Sequence, residues 1–397
     1  MSLSAAVEVF FDEEILPRHR DWVAHMADRR GPPPFLGELR DKARAAGLWN
    51  LGLLDRLSNR DYAPIAEITG RLPWAPEVFN CQAPDVPNMI MLQHVASPAQ
   101  KERWLQPLLD GRVRSAFGMT EPDVASSDAT NIATTVRRDG ADWVIDGRKW
   151  YITGAAHPAC AFVIVMGVSR PAAPRTARHS CVIVPMDAKG LRIVRELRFL
   201  GWEDSVAPIA ELEFADVRVP VENLLGKEGD GFGAAQVRLG PARLHHCMRA
   251  IGACEVLVEL MMARAAERRA FGRAVIDYDA TQQAIARSRI DIEQARLLVL
   301  RTAERLDLLG HQAVWRDVSM AKVAVPEMAQ RIADRALQIF GAMGGSDDAP
   351  IHHVFAMARL LRIADGPDEV HLRQIFRQEP AARWSIAQSP YITKPVL

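Results

Sequence analysis

Two stretches of this chain carry side chains and backbone suited to chemistry. Residues 117–128 read F-G-M-T-E-P-D-V-A-S-S-D, and after two short alternating segments residues 143–155 read W-V-I-D-G-R-K-W-Y-I-T-G-A. Thr120, Ser126, Ser127 and Thr153 follow or interrupt β-type runs, so hydroxyl and backbone N–H groups can face a ligand there instead of a core. That pattern suits a flat, polar-edged, anionic molecule; the plainer alternative is a loop whose hydroxyls satisfy its own backbone. Asp139-Gly140 is a hairpin signal that folds the second part beside the first, so that two polar clusters flank one pocket. The second stretch, 363–371, reads I-A-D-G-P-D-E-V-H. Taken alone it is a helix N-terminus whose acidic residues complement the helix dipole.

Other candidate groups point away from chemistry. His245-His246 and His352-His353 are adjacent pairs, and neighbouring helical residues project about 100° apart, so neither pair forms a bidentate ligand set. Both read as structural or surface histidines, and no metal site is expected. Cys81, Cys160, Cys181, Cys247 and Cys254 are odd in number and lack C-x-x-C spacing, which fits neither a disulfide framework nor zinc and implies a reducing compartment. Gly229-Asp230-Gly231-Phe232-Gly233 lacks the strand and helix frame of a dinucleotide loop and reads as a joint.

The elements that must position these groups follow from length and periodicity. A chain of 397 residues exceeds one hydrophobic core, so two or three packed domains are expected. Zero formal net charge argues against a nucleic-acid partner or an anionic membrane surface. Glu8, Asp12, Glu13 and Glu14 are unlike a signal or transit peptide, and apolar runs such as 161–168 are too short to span a bilayer. The expectation is a soluble cytoplasmic protein.

The fold class is α+β and mostly helical. An N-terminal helical domain covers 1–112, with a helix from Phe35 to Ala46 and another opened by Ser97-Pro98 and stopped near Gly111. A central antiparallel barrel or sandwich covers 113–230, with strands at 114–119, 143–146, 161–168, 181–185, 191–195 and 209–219; the polar, basic segment 169–180 is an exposed loop. A C-terminal four-helix bundle covers 231–397. One of its helices carries the stripe Ile285, Ser288, Ile292, Ala295, Val299, Thr302 and Leu306, and Pro326 is expected to kink or interrupt the next.

The order of the motifs resembles the acyl-CoA dehydrogenase family along essentially the whole chain. T-E-P followed by S-D and then K-W-Y-I-T-G is similar to the family's flavin-binding strands. Arg268-Arg269-Ala270-Phe271-Gly272 with Gln282 resembles its R-x-x-F-G…Q element, and 338–344, Q-I-F-G-A-M-G, resembles its Q-I-F-G-G-x-G, with alanine replacing the second glycine. Alone, Arg268 reads as a solvated helix-end charge. D-G-P-D-E-V-H stands where most members have Y-E-G-T-x-E-I-Q; with G-P-x-R-x-H-H-C-M-R at 240–249 and V-A-S-S-D at 124–128, it resembles the branch fused in animals to a phosphotransferase-like domain, which this chain lacks.

The resemblance implies an FAD-dependent α,β-dehydrogenation of an acyl-CoA thioester in fatty-acid β-oxidation, with electrons passed to an electron-transferring flavoprotein. Asp365 is implied as the α-proton base, its pKa raised by desolvation, with the flavin accepting the β-hydrogen as hydride and Asp368 and Glu369 capping the helix. The cofactor contacts implied are Phe117, Met119, Thr120, Ser126, Ser127, Tyr151 and Thr153, then Arg268, Phe271 and Gln282 from a neighbouring subunit, Gln338, Gly341 and Ala342 at the adenosine half, and Pro367 and Glu369. Ser127, Arg243 and Gly366 are implied at the substrate, with Ser126 and Ser127 interchangeable because the loop has one extra residue. A homo-oligomer, dimer or tetramer, follows from the shared cofactor. An oxidase or monooxygenase of the same fold, or a non-catalytic acyl-CoA binder, are the alternatives.

Overall fold

Strand-forming residues are confined to one stretch of the chain. The computed structural model describes residues 2–27, 31–201, 206–311 and 313–393 and places a sheet there, between two sets of helices. Helices α1 (Leu3–Phe10), α2 (His19–Ala27), α3 (Phe35–Ala45), α4 (Asn59–Gly70), α5 (Ala75–Val78), α6 (Asp85–Val95), α7 (Pro98–Gln100) and α8 (Gln106–Leu109) come first. The signal at Ser97 is realised as a capping box with Gln100, and Gly111, at φ +64°, ends the last turn.

Strands β1 (Arg114–Gly118), β2 (Thr135–Asp139), β3 (Asp142–Ile152), β4 (Cys160–Val168), β5 (His179–Pro185), β6 (Leu191–Leu197), β7 (Ile209–Pro220) and β8 (Leu224–Leu225) form one sheet in the order β6-β7-β3-β2-β4-β5-β8. It is sandwich-like and does not close into a barrel, which decides between the two expected forms. Along β4, Phe162, Ile164 and Met166 face the helices, while Val163 and Val165 face the second layer with Trp143, Leu212 and Phe214. The Asp139-Gly140 turn closes the β2–β3 hairpin with Gly140 at φ +62°. Two expectations need correction. β1 pairs with β4 in parallel, the β2–β3 hairpin lying in the crossover, so the sheet is not purely antiparallel. The exposed loop also ends at Arg178, since His179 and Ser180 are buried in β5.

Gly231 starts α9 (Gly231–Glu267), and a Cβ there would lie 2.7 Å from the His179 carbonyl oxygen, so the glycine-rich joint is a close packing contact. The short hairpin β9 (Arg269–Ala270) and β10 (Arg273–Ala274) leads to α10 (Asp279–Leu309), α11 (Trp315–Phe340), α12 (Ile351–Leu361) and α13 (Asp368–Arg377). Every predicted stripe position of α10 is buried except half-buried Ile285. Of the kink or interruption expected at Pro326, the interruption does not occur: α11 runs on through the buried ring. N- and C-terminal helices share one core, joined where α9 crosses α4: a Cβ on Gly252 would collide with the Glu67 carbonyl. Among the described residues, no helix is long and apolar enough to cross a membrane.

Candidate active site

Asp365 sits in the turn between α12 and α13, held at φ +55°, and Gly366 follows at φ +100°. Glycine is required twice over, by that φ and because a Cβ would lie 2.9 Å from His371 Nε2. Arg243 Nε donates to the Asp365 carbonyl at 2.9 Å. His371 Nε2 reaches the same oxygen at 3.3 Å, which assigns the proton to Nε2 and makes Nδ1 the acceptor of the Ser319 hydroxyl at 3.1 Å. Burial pushes His371 down to about 4, consistent with that neutral tautomer. The turn is therefore tied to α9 and α11 by its backbone, which leaves the carboxylate outside these bonds.

The Asp365 side chain is 20% exposed, with Oδ2 3.6 Å from His246 Nε2. Burial, the largest influence, pushes the carboxyl up; the charges of His246, Arg238, Arg243 and Lys322 more than offset it and leave the group below its ordinary value. The elevation expected beside a bound flavin concerns the loaded site; in the chain itself His246, Arg238, Arg243 and Lys322 set the direction downward. His246 is itself pushed down to about 4, mainly by burial, so near neutral pH it faces Asp365 as an uncharged ring. Lys322, buried, donates to the Leu361 carbonyl beneath the same turn.

α9 is the wall shared with the sheet. Five residues before Arg243, the Arg238 guanidinium lies 4.4 Å over the Phe117 ring and donates through Nε to Asn88 Oδ1 at 2.8 Å. Asn88 donates in turn to Ser115 Oγ at 2.9 Å, and Asp85 accepts from the Ser115 N–H and hydroxyl at 2.7 Å each. Arg114 pairs with Asp85 and makes two 2.6 Å bonds to Glu77, which also takes Arg40. One buried polar network thus fixes β1, and with it Phe117, between the N-terminal helices and α9. Sequence reasoning missed all of its members, polar residues in apolar helices and strands with no spacing to mark them, and read His246 only as a structural or surface histidine.

Beyond Phe117 the two polar clusters do lie side by side. Lys149, fully buried, donates to the Met119 carbonyl (2.9 Å), Glu121 Oε1 (2.8 Å) and the Met166 carbonyl (2.7 Å), while Glu121 accepts the Ala133 and Thr134 N–H groups. Burial brings Lys149 down to about 8, so it remains an ammonium at neutral pH. The Trp150 N–H bonds the Thr120 carbonyl at 3.0 Å. Met119, Thr120 and Thr153 are half-buried there, and Tyr151, at φ +51°, is exposed against Trp150. Ser126 Oγ is occupied by the loop, accepting from the Glu121 N–H and donating to the Val124 carbonyl, whereas Ser127 is exposed. The groups left at the rim are hydroxyls, a thioether and an aromatic ring, which fit a flat ring system with a polar edge.

Arg268, Phe271, Gln282, Gln338, Gly341 and Ala342 gather elsewhere. All are exposed, Phe271 at 98%, at the bundle end where α9 and α11 finish and α10 begins; Arg264 lies over Phe340 there. Arg243 and Arg268 are separated along α9 by about 37 Å. Pro367 precedes α13, and Glu369 is exposed in its first turn. Asp368, expected to cap that helix, instead accepts from Arg362 Nε at 2.7 Å. Of the histidine pairs, His245 is the expected structural residue, buried edge-on to Tyr62, whereas His246 faces Asp365, and His352 and His353 converge on Asp347.

Residues 116–217 match the acyl-CoA dehydrogenase middle domain and residues 229–379 its C-terminal domain. The chain is 50% identical over 350 residues to "Probable acyl-CoA dehydrogenase FadE2" of Mycobacterium tuberculosis, covering 87% of this chain and 86% of that one. It is 46% identical over 383 residues to "Acyl-CoA dehydrogenase family member 11" of Gallus gallus, where 94% of this chain spans 49% of the longer relative. A solved Mycobacterium abscessus chain classed among acyl-CoA dehydrogenases superposes with a TM-score of 0.91 at 47% identity, covering 94% of this chain and 96% of that one. An acyl-CoA dehydrogenase from Geobacillus kaustophilus does so with 0.81 at 27%, with the same coverage.

Proposed function

The chain belongs to the acyl-CoA dehydrogenase family, an oxidoreductase family, and we propose that it converts an acyl-CoA thioester to the trans-2-enoyl-CoA with Asp365 as the α-proton base. The observation that carries this reading is the placement of Asp365, ionised and one-fifth exposed, on the α9 wall that also holds Phe117. Arg238, Arg243 and Lys322 keep the carboxylate ready to accept a proton at neutral pH. An acyl chain closing over it removes the remaining water and strengthens it as a base. The Asp365 backbone N–H polarises the thioester carbonyl, with Gly366, Arg243 and Ser127 around the substrate.

FAD fits the rim formed by Phe117, Met119, Thr120, Ser127, Tyr151 and Thr153, with Ser126 shaping the loop and Pro367 and Glu369 at its edge. When bound, FAD supplies the two-electron acceptor for the β-hydrogen. Arg268 lies about 37 Å from Arg243 along α9, and Phe271, Gln282, Gln338, Gly341 and Ala342 gather at the same bundle end, so they serve the diphosphate and adenosine of a cofactor seated mainly in a second copy, in a dimer or tetramer. Electrons leave to an electron-transferring flavoprotein, and the unpaired cysteines suit a reducing, cytoplasmic setting.

Asp365→Asn tests the assignment. Asparagine tolerates φ near +55°, so the variant keeps its turn and its flavin while acyl-CoA-driven flavin reduction falls by about 10²–10⁴-fold. A near-normal reduction rate would remove Asp365 from the reaction.

A further inference from the structure

Asp347, His352 and His353 form a cluster that none of the roles above uses. The turn before α12 is tied by the Ser346 N–H and hydroxyl, both donating to the Met343 carbonyl, and by the Asp348 N–H donating to Ser346 Oγ. That geometry stands Asp347, 96% exposed, over the first turn of α12. His352 Nε2 lies 3.3 Å and His353 Nε2 3.9 Å from the same Asp347 Oδ1, and the three ligand atoms fall within 4.8 Å of one another. The imidazole centroids are only 3.9 Å apart, with the rings inclined by 56°. The 100° projection of adjacent helical residues is overcome by the reach of the imidazole arms, and the third group comes from outside the helix.

We propose that Asp347, His352 and His353 bind one divalent transition-metal ion of the zinc type, with water completing its coordination. Metal–ligand bonds of about 2.1 Å arranged tetrahedrally separate their ligand atoms by about 3.4 Å, which the 3.3 Å pair already matches and the 3.9 Å pair reaches by a small side-chain rotation. Two imidazoles and one carboxylate favour Zn²⁺, Co²⁺ or Ni²⁺ over Mg²⁺ or Ca²⁺, which prefer an all-oxygen shell. The positive end of the α12 dipole opposes a cation here, and the Asp347 charge offsets it. The ion joins the turn to the helix and leaves open positions only to solvent, so its role is to brace the segment between α11 and α12.

Calorimetric titration of the flavin-loaded, EDTA-treated protein with ZnCl₂ tests the proposal, with CaCl₂ as the comparison. One Zn²⁺ per chain is expected, with Ca²⁺ bound far more weakly. H352Q/H353Q is expected to weaken Zn²⁺ binding by more than the roughly 10–100-fold that losing an outer partner costs, at unchanged flavin content. D347N, at a fully exposed position that cannot compromise folding, is expected to weaken it too. Absence of one-per-chain uptake, equal affinity for Ca²⁺, or full affinity in D347N or the double variant would overturn the assignment.

Discussion

Lowering the pH toward 5 should unfold this protein through buried histidines beside the candidate base. Burial holds His246 and His371 at about 4 and His245 at about 3, against about 6.5 in an unfolded chain. Between pH 6.5 and about 4, therefore, the unfolded chain binds protons that the folded chain refuses. Stability is fully present above that window and is lost as the pH falls through it. At pH 5 each group costs about 2 kcal/mol relative to pH 8, so the three together cost about 6 kcal/mol, comparable to the roughly 5–15 kcal/mol that typical domains possess. His245→Phe isolates one of them, because the ring sits edge-on to Tyr62 at 4.7 Å and phenylalanine keeps that packing without titrating. Urea unfolding of both proteins at pH 7.5, 6 and 5, followed by circular dichroism, should show the stability difference moving by about 2 kcal/mol in favour of the variant between the extremes. A difference that stays constant with pH would refute the reasoning, as would a wild-type protein equally stable at pH 5 and 7.5.

Lys149→Met leaves the Glu121 carboxylate buried without its ammonium partner and should cost about 3–5 kcal/mol, read as a lowered urea midpoint at pH 7.5. Arg268→Ala should weaken FAD binding by about 10- to 150-fold in fluorescence titrations, the loss of one charged hydrogen bond to a diphosphate, without changing the urea midpoint of the folded chain.

What was legible in the sequence was local. The Asp139-Gly140 turn, the capping box at Ser97 and the stripe from Ser288 to Leu306 each carry their instructions within a few residues, and the structure follows them. The parallel pairing of β1 with β4 was not legible, since Arg114 meets Cys160 only after an intervening hairpin. Pro326 does not end α11 for a similar reason: propensity allows a break there, and tertiary packing of the helix overrides it. At the candidate site, Asp365 and Phe117 stood out through motif order, whereas Asn88, Arg238 and His246 look like ordinary polar residues until α9 brings them to the turn and the strand. The cations that set the direction of the Asp365 shift in the chain itself were not legible, because Arg238, Arg243 and Lys322 come from α9 and α11, helices far from it in sequence. The convergence of Asp347 with two histidines depends on a turn geometry that residue types alone do not specify.

The central claim is that this chain abstracts an α-proton from an acyl-CoA and passes the β-hydrogen to a bound flavin. Anaerobic titration of the purified, FAD-loaded protein with a panel of acyl-CoAs, followed by the visible absorbance of the flavin, tests it most directly. The account predicts bleaching by at least one chain class, with one acyl-CoA consumed per flavin and slow recovery on admitting air. A flavin that stays oxidised with every acyl-CoA in the panel would contradict it.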